Sequence, residues 1–286
     1  MRARIRFSKT GNMKYVGHLD LMRFFQRAMR RADIPIKYSE GFSPHQIMSF
    51  AAPLGIGLES VGEYVDITID DELQGDPEAI RADAGKCRLL EEEYLRRLSS
   101  VMCPGVEVTK LRFIPDDAGK AMSSVASAGY RVEFPDGYEY ECNLQMESMK
   151  NSAQVCSGRG RAAGYTSEGC DVDGRVDAET VGGDCTDGGA GRLSAEKIAS
   201  AVSDFMSKSS CVMSTIVKKS GAEKDRDIRP LVYEMTYADG AIDMHISQGS
   251  VENLKPELVL EALGIGTEGL RIVRTEMFDH EGRPLV

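Results

Sequence analysis

The 286-residue sequence predicts an α+β protein. Segments in which apolar and polar residues alternate, a pattern typical of half-buried strands, are interleaved with segments whose apolar residues recur at helical spacing. Residues 151–192 interrupt this pattern, because they contain no Leu, Ile, Phe or Met and cannot bury a core. We therefore expect two domains, residues 1–115 and 128–286, the second interrupted by a disordered insertion at about 145–192.

The first half predicts the element order β-α-β-β-α-β. The six elements are strand 2–8, helix 19–32, strand 46–51, strand 63–69, helix 91–101 and strand 106–113. The first helix has an apolar side and an arginine side, and Pro35 ends it by keeping Ile34 out of the helical conformation. This order is that of a ferredoxin-like domain.

The second half repeats this order with additional strands. The expected elements are strand 130–134, strand 138–142, helix 194–207, strand 212–217, strand 231–237, strand 241–247, helix 256–263 and strand 270–278. Ser194 is placed to begin a helix, and Asp239-Gly240 is a hairpin dipeptide. The sequence thus predicts two ferredoxin-like domains in tandem, the second embellished.

Charge is distributed unevenly along the chain. The net charge is −10, yet residues 1–50 hold ten Lys and Arg against three acids, an excess of +7. The remaining residues carry −17. A basic segment on an acidic chain indicates a defined anionic partner, although an ordinary solvated surface would have the same composition.

Other features of the sequence limit the cellular location and the cofactors that we expect. No stretch approaches the roughly 20 apolar residues that span a bilayer, and no signal peptide is recognisable, so we expect a cytoplasmic protein without a membrane partner. The seven cysteines lack close pairs, which predicts free thiols. A radical enzyme's iron–sulfur cluster needs closely spaced cysteines, so we expect no metal and no cofactor in this chain.

The basic segment predicts a nucleic-acid site. Arginine can grip phosphates with two donors, and aromatic rings can stack on unpaired bases. The residues expected to bind are Lys14, Arg23, Arg27, Arg30, Arg31, Lys37, Tyr38, Phe42 and His45. His18 is the candidate acid or base. The alternative is structural: Tyr15, Tyr38 and Phe42 plug the core edge, and His18 caps the helix.

A second candidate is an anion site between a predicted strand and a helix start. Its residues are Gly249, Ser250, Asn253 and Lys255. Free backbone N–H groups at a helix start can bind an anion, but an ordinary cap made by Asn253 explains the same pattern.

Several distinctive phrases carry a family resemblance. They are Arg4-Ile5-Arg6-Phe7-Ser8-Lys9, Tyr15-Val16-Gly17-His18-Leu19-Asp20, residues 30–45, Pro53-Leu54-Gly55-Ile56-Gly57, Asp227-Ile228-Arg229-Pro230-Leu231 and Asn253-Leu254-Lys255-Pro256. This pattern resembles the radical SAM-linked protein family, a domain of unknown function that stands alone or is fused behind a radical SAM protein. The resemblance implies a radical SAM partner, and we expect the stand-alone form.

A fainter similarity concerns the phrase Lys37-Tyr38-Ser39-Glu40-Gly41-Phe42-Ser43-Pro44. It is similar to one found in CRISPR repeat-processing endoribonucleases of the RAMP superfamily, which share tandem ferredoxin-like domains. That similarity implies RNA cleavage without metal, with His18 as the candidate by position.

Three hypotheses follow. The first is a non-catalytic accessory protein that binds RNA, transfer or ribosomal, for a radical SAM enzyme. The second is a metal-independent endoribonuclease that uses His18. The third is a protein–protein adaptor without RNA binding.

Overall fold

The computed structural model describes residues 1–70, 77–115, 117–135, 194–216, 223–249 and 252–286. Met1–Tyr138 and Leu193–Val286 form one compact unit. The predicted strand 138–142 and the insertion at about 145–192 lie outside the described residues.

The elements follow in chain order. They are β1 (Arg2–Lys9), α1 (His18–Arg31), β2 (Met48–Phe50), β3 (Glu59–Thr68), α2 (Pro77–Ala82), α3 (Ala84–Ser99), β4 (Val108–Ile114), α4 (Ala121–Ser124), β5 (Ser127–Glu133), α5 (Ala195–Ser207), β6 (Val212–Ile216), β7 (Glu223–Asp227), β8 (Val232–Ala238), β9 (Ala241–Ser247), α6 (Pro256–Ala262) and β10 (Arg271–Phe278). Short 3₁₀ helices occupy Gly11–Tyr15 and Arg229–Leu231. The predicted α+β class is confirmed.

One sheet contains strands from both halves. Its order is β4-β1-β3-β10-β5-β9-β8, and β2 pairs with β3. The halves meet where β3 and β10 pair in parallel, with Glu59 opposite Val273 and Ser60 opposite Arg274. Counting only the strands of this sheet, each half has the spatial order fourth, first, third, second. Strands β6 and β7 form a separate two-stranded sheet.

Two apolar clusters form the core. In the first half, β1 turns Ala3, Ile5 and Phe7 inward, and all three are fully buried. The Phe7 ring packs on the Phe25 ring of α1, with centroids 4.6 Å apart. The second cluster lies mainly in the other half, where α5 and α6 contribute apolar residues such as Phe205 and Leu260, and it extends into the first half to Leu58 and Tyr64.

Local signals in the sequence predicted most element bounds closely. Ser194 is the N-cap of α5 and accepts a hydrogen bond from the Lys197 backbone N–H. Asp239 and Gly240 both have positive φ, as a tight hairpin turn requires. The clearest differences are at four elements: β3 begins at Glu59, α3 begins at Ala84, β5 begins at Ser127, and β2 is only Met48–Phe50.

A buried polar cluster accompanies the seam between β3 and β10. The Arg274 guanidinium is 2.9 Å from the Glu63 carboxylate and 3.0 Å from the Tyr130 hydroxyl. Arg274 is 2% exposed and Glu63 is 4% exposed. Because a buried charge without a partner is costly, the pairing of Arg274 with Glu63 satisfies both groups at this seam.

Candidate nucleic-acid interface

Helix α1 turns one side to the core and four arginines to the outside. Its buried residues are Leu21, Phe25, Ala28 and Met29. A helix advances 100° per residue, which places all four arginines within an arc of about 100° opposite the buried side. We call this exposed surface the arginine face, and its members are Arg23, Arg27, Arg30 and Arg31.

The chain's own groups neutralise this face only in part. Arg23 lies 3.1 Å from the Asp20 carboxylate, and Arg31 donates to the Val101 carbonyl oxygen at 2.8 Å. Within the described residues, the side chains of Arg27 and Arg30 form no ion pair and no hydrogen bond. Two exposed guanidinium groups therefore remain available to an anionic partner.

Residues 37–47 form a hairpin-like loop beside α1, which we call the 37–47 loop. Tyr38 pairs with Gln46, and the Ser39 backbone N–H donates to the His45 carbonyl oxygen at 2.8 Å. The Ser39 hydroxyl also lies 2.8 Å from the Nδ1 atom of His45. Phe42 stands fully exposed at the tip. The Phe42 ring is therefore accessible to a partner on which it could stack.

A pocket of about 190 Å³ lies between α1 and the 37–47 loop. Its lining residues are Gln26, Arg30, Tyr38, Pro44, His45 and Gln46. Three of the predicted binding residues thus meet in one place, although they lie up to fifteen positions apart in the sequence. Gln26 and Gln46 were missed, because a single glutamine beside a strand or within a helix carries no pattern of its own.

Two predicted residues have other contacts. The Nζ atom of Lys14 lies 3.7 Å from the Glu59 carboxylate and 5.4 Å from the centroid of the Tyr15 ring. His18 is the first residue of α1, and its ring packs edge-on against Phe50 at 5.2 Å. The structural alternative, in which three aromatic residues plug the core edge and His18 caps α1, is wrong. Tyr15, Tyr38 and Phe42 are exposed, and the N-cap of α1 is Gly17.

Part of the basic excess of residues 1–50 serves the fold. Arg2 and Arg4 pair with Asp66, and Arg6 pairs with Glu276. Lys9 is 1% exposed, and burial lowers the pKa of its ammonium group. The positive charge turned outward by this segment therefore lies mainly on the arginine face and on Lys37, which is exposed.

The second predicted anion site makes its contacts within the chain. The Asn253 side chain accepts a hydrogen bond from Gln248 at 3.0 Å, and Arg226 pairs with Glu252. The N-cap of α6 is Lys255, without a side-chain cap, so Asn253 does not cap this helix. Ser250 lies outside the described residues.

Gly249 is required for packing at this place. A Cβ added there would approach the Val125 carbonyl oxygen to 2.8 Å. Packing alone therefore explains why a glycine occupies this position, without any ligand.

These features define an α+β protein with a cationic helix surface beside a small aromatic and polar pocket. Residues 2–256 match the family described as "Uncharacterized protein conserved in bacteria (DUF2344)", and the chain belongs to this family. The expectation of a domain of unknown function is thereby confirmed. No curated protein matches the chain. In the part of the chain that the structure describes, every helix is too short or too polar to cross a membrane.

Proposed function

We propose that this protein binds single-stranded RNA through the arginine face and the 37–47 loop. The observation that carries the proposal is the position of Arg30, which has no partner among the described residues and lines one pocket with the exposed ring of Tyr38. Arg27 lies on the same helix face, and Phe42 is exposed at the tip of the 37–47 loop. Cationic groups that follow a phosphate backbone, next to aromatic rings on which bases stack, are the usual means of single-strand binding.

The negative net charge of the chain favours RNA binding at one small part of its surface. At a net charge of −10, most of the surface repels a polyanion, so binding is confined to the region where cations cluster. This predicts one site of defined position rather than coating along the strand.

We further infer that each half of the sheet is a ferredoxin-like module. The strand order within each half and the β-α-β-β-α-β succession of its main elements support this interpretation. The two modules share one sheet through the parallel pairing of β3 with β10.

We also propose that the protein serves as a non-catalytic accessory of a radical SAM enzyme. The support is the resemblance of the chain, outside about 145–192, to radical SAM-linked proteins. Transfer RNA and ribosomal RNA are the substrates we would test first. Purification of the tagged protein from native cells, with and without nuclease, distinguishes an RNA-bridged partner from an adaptor that contacts the enzyme directly.

Filter binding tests the RNA proposal. The variant R23E/R27E/R30E reverses three charges on the arginine face. A matched control, K86E/R88E/K197E, reverses three exposed charges on α3 and α5. The proteins are freed of cellular RNA by nuclease during purification. We expect the native protein and the control variant to retain added single-stranded RNA on the filter, and the arginine-face variant to lose this binding. Absent binding by the native protein, or equal binding by both variants, would reject the proposal.

The endoribonuclease hypothesis stays a prediction and is tested in the same samples. RNA incubated with the protein in EDTA should stay intact if the protein only binds. Cleavage that disappears in His18→Ala would favour the enzyme instead.

A further inference from the structure

We propose that the pocket between α1 and the 37–47 loop holds one unpaired guanine base, which Arg30 and Gln46 recognise. This inference rests on the proposed RNA-binding function and adds a base preference to it. It depends on three features of the pocket: a buried carbonyl oxygen that accepts no hydrogen bond, an arginine without a partner among the described residues, and two rings in the lining.

The acceptor is the side-chain carbonyl oxygen of Gln46. This residue is 4% exposed, and its Oε1 atom accepts no hydrogen bond within the described residues. The orientation of the amide follows from its neighbours: Nε2 donates to the Gln26 backbone carbonyl oxygen at 3.3 Å, and a carbonyl can only accept. Oε1 therefore needs a donor, because a buried polar atom without a partner costs free energy.

The donors belong to Arg30. Its guanidinium is exposed and without a partner among the described residues, and it lines the same pocket as Gln46. A guanidinium presents parallel N–H groups that match two adjacent acceptors. Guanine offers such a pair, O6 and N7, whereas adenine places an amino group where O6 would be. Cytosine and uracil lack N7 altogether.

Guanine also satisfies the acceptor. The edge next to O6 carries N–H donors, which is what the Gln46 oxygen requires. The oxygen is inaccessible to solvent in this structure, so contact with it requires a covering side chain to move aside, and we assign this movement to Tyr38 and its hydroxyl. That hydroxyl accepts from Gln46 Nε2 at 3.2 Å, and Tyr38 lies on the exposed part of the loop.

The flanking rings and the volume suit a single base. Tyr38 is 45% exposed, and the contact of His45 with Ser39 holds the imidazole beside the pocket. The volume of about 190 Å³ lies below the range of pockets that hold drug-sized ligands. It therefore accommodates one base, next to the two rings that line the pocket, rather than a base pair.

Fluorescence anisotropy with uridine octamers that carry one substituted position tests the inference. We expect one guanosine to bind about tenfold tighter than one adenosine, which is the usual range for a bidentate arginine contact. An octamer with 7-deazaguanosine, which lacks N7, should lose most of that gain. Arg30→Ala and Gln46→Leu should lose it too, with circular dichroism to verify folding.

Arg27→Ala is the matched control, because Arg27 lies on the same face but does not line the pocket. This variant should weaken all octamers equally and keep the guanosine preference. Equal affinity of the native protein for guanosine and adenosine octamers would overturn the guanine assignment while leaving RNA binding intact. If no octamer binds at all, the proposed function itself fails. If Gln46→Leu does not fold, the 7-deazaguanosine result decides.

Discussion

The seam between the two halves yields a prediction of large effect. Arg274→Met removes the cation that the Glu63 carboxylate faces at 2.9 Å, in a region where both residues are almost inaccessible to water. It also removes the hydrogen bonds that Arg274 donates to the Tyr130 hydroxyl and the Ala52 carbonyl oxygen. Breaking a buried pair in this manner typically costs about 3–5 kcal/mol of unfolding free energy.

That loss is expected to depend on pH. Burial raises the pKa of Glu63 even in the native protein, where the charge of Arg274 opposes the shift. Without Arg274 the folded-state pKa rises further, and the folded state then favours the protonated acid. Stability is therefore lost as pH rises above the unfolded-state pKa of about 4.3, so the variant loses more at pH 8 than at pH 5.

Urea unfolding monitored by circular dichroism at both pH values measures the effect. The control is Arg283→Ala, which removes an exposed pair with Asp279 and should cost about 0–1 kcal/mol. The double replacement of Arg274 and Glu63 by Met should recover part of the stability, since the Glu63 carboxylate is then no longer buried without its cation. The recovery is incomplete because Lys9 is also buried and loses the opposite charge of Glu63. A loss for Arg274→Met as small as that of the control would show that the seam is wetter or looser than described.

Three further predictions concern other places in the chain. Asp83→Ala removes the carboxylate that caps α3 through the Gly85 and Lys86 backbone N–H groups, and thermal unfolding should report a loss of about 1 kcal/mol. Phe42→Ser should leave the unfolding free energy within about 0.5 kcal/mol, because the ring is fully exposed, yet weaken single-stranded RNA binding about tenfold in filter assays. Burial lowers the pKa of His245, so the unfolded state binds its proton more readily and stability should fall as pH drops below about 6.5; His245→Gln should flatten that slope in urea titrations.

Local patterns predicted the elements that depend on neighbouring residues. Apolar residues at helical spacing, with arginines on the opposite side, predicted helix 19–32, and α1 is His18–Arg31. The predicted strand 241–247 coincides with β9, because the Asp239-Gly240 turn marks its start. Strand β7 was missed, since Glu223–Asp227 is charged throughout and forms a strand only by pairing with β6.

Long-range partners carried no local signal. The parallel pairing of Ser60 with Arg274 joins residues more than two hundred positions apart. Lys14 pairs with Glu59, a residue 45 positions further along the chain, whereas composition alone assigned Lys14 to the basic surface. The pocket depends on Gln46, whose role follows from burial and from an unsatisfied oxygen that a sequence does not reveal.

The salt dependence of RNA affinity tests the central claim most directly. Arg27 and Lys37 are exposed cations without side-chain partners among the described residues, so each can displace a counterion from one phosphate. For a single strand, the slope of log affinity against log salt changes by about 0.7 per phosphate neutralised. The account predicts that Arg27→Ala/Lys37→Ala makes this negative slope shallower by about 1.4 relative to the native protein. A native slope near zero, or a slope that the double variant leaves unchanged, would contradict it.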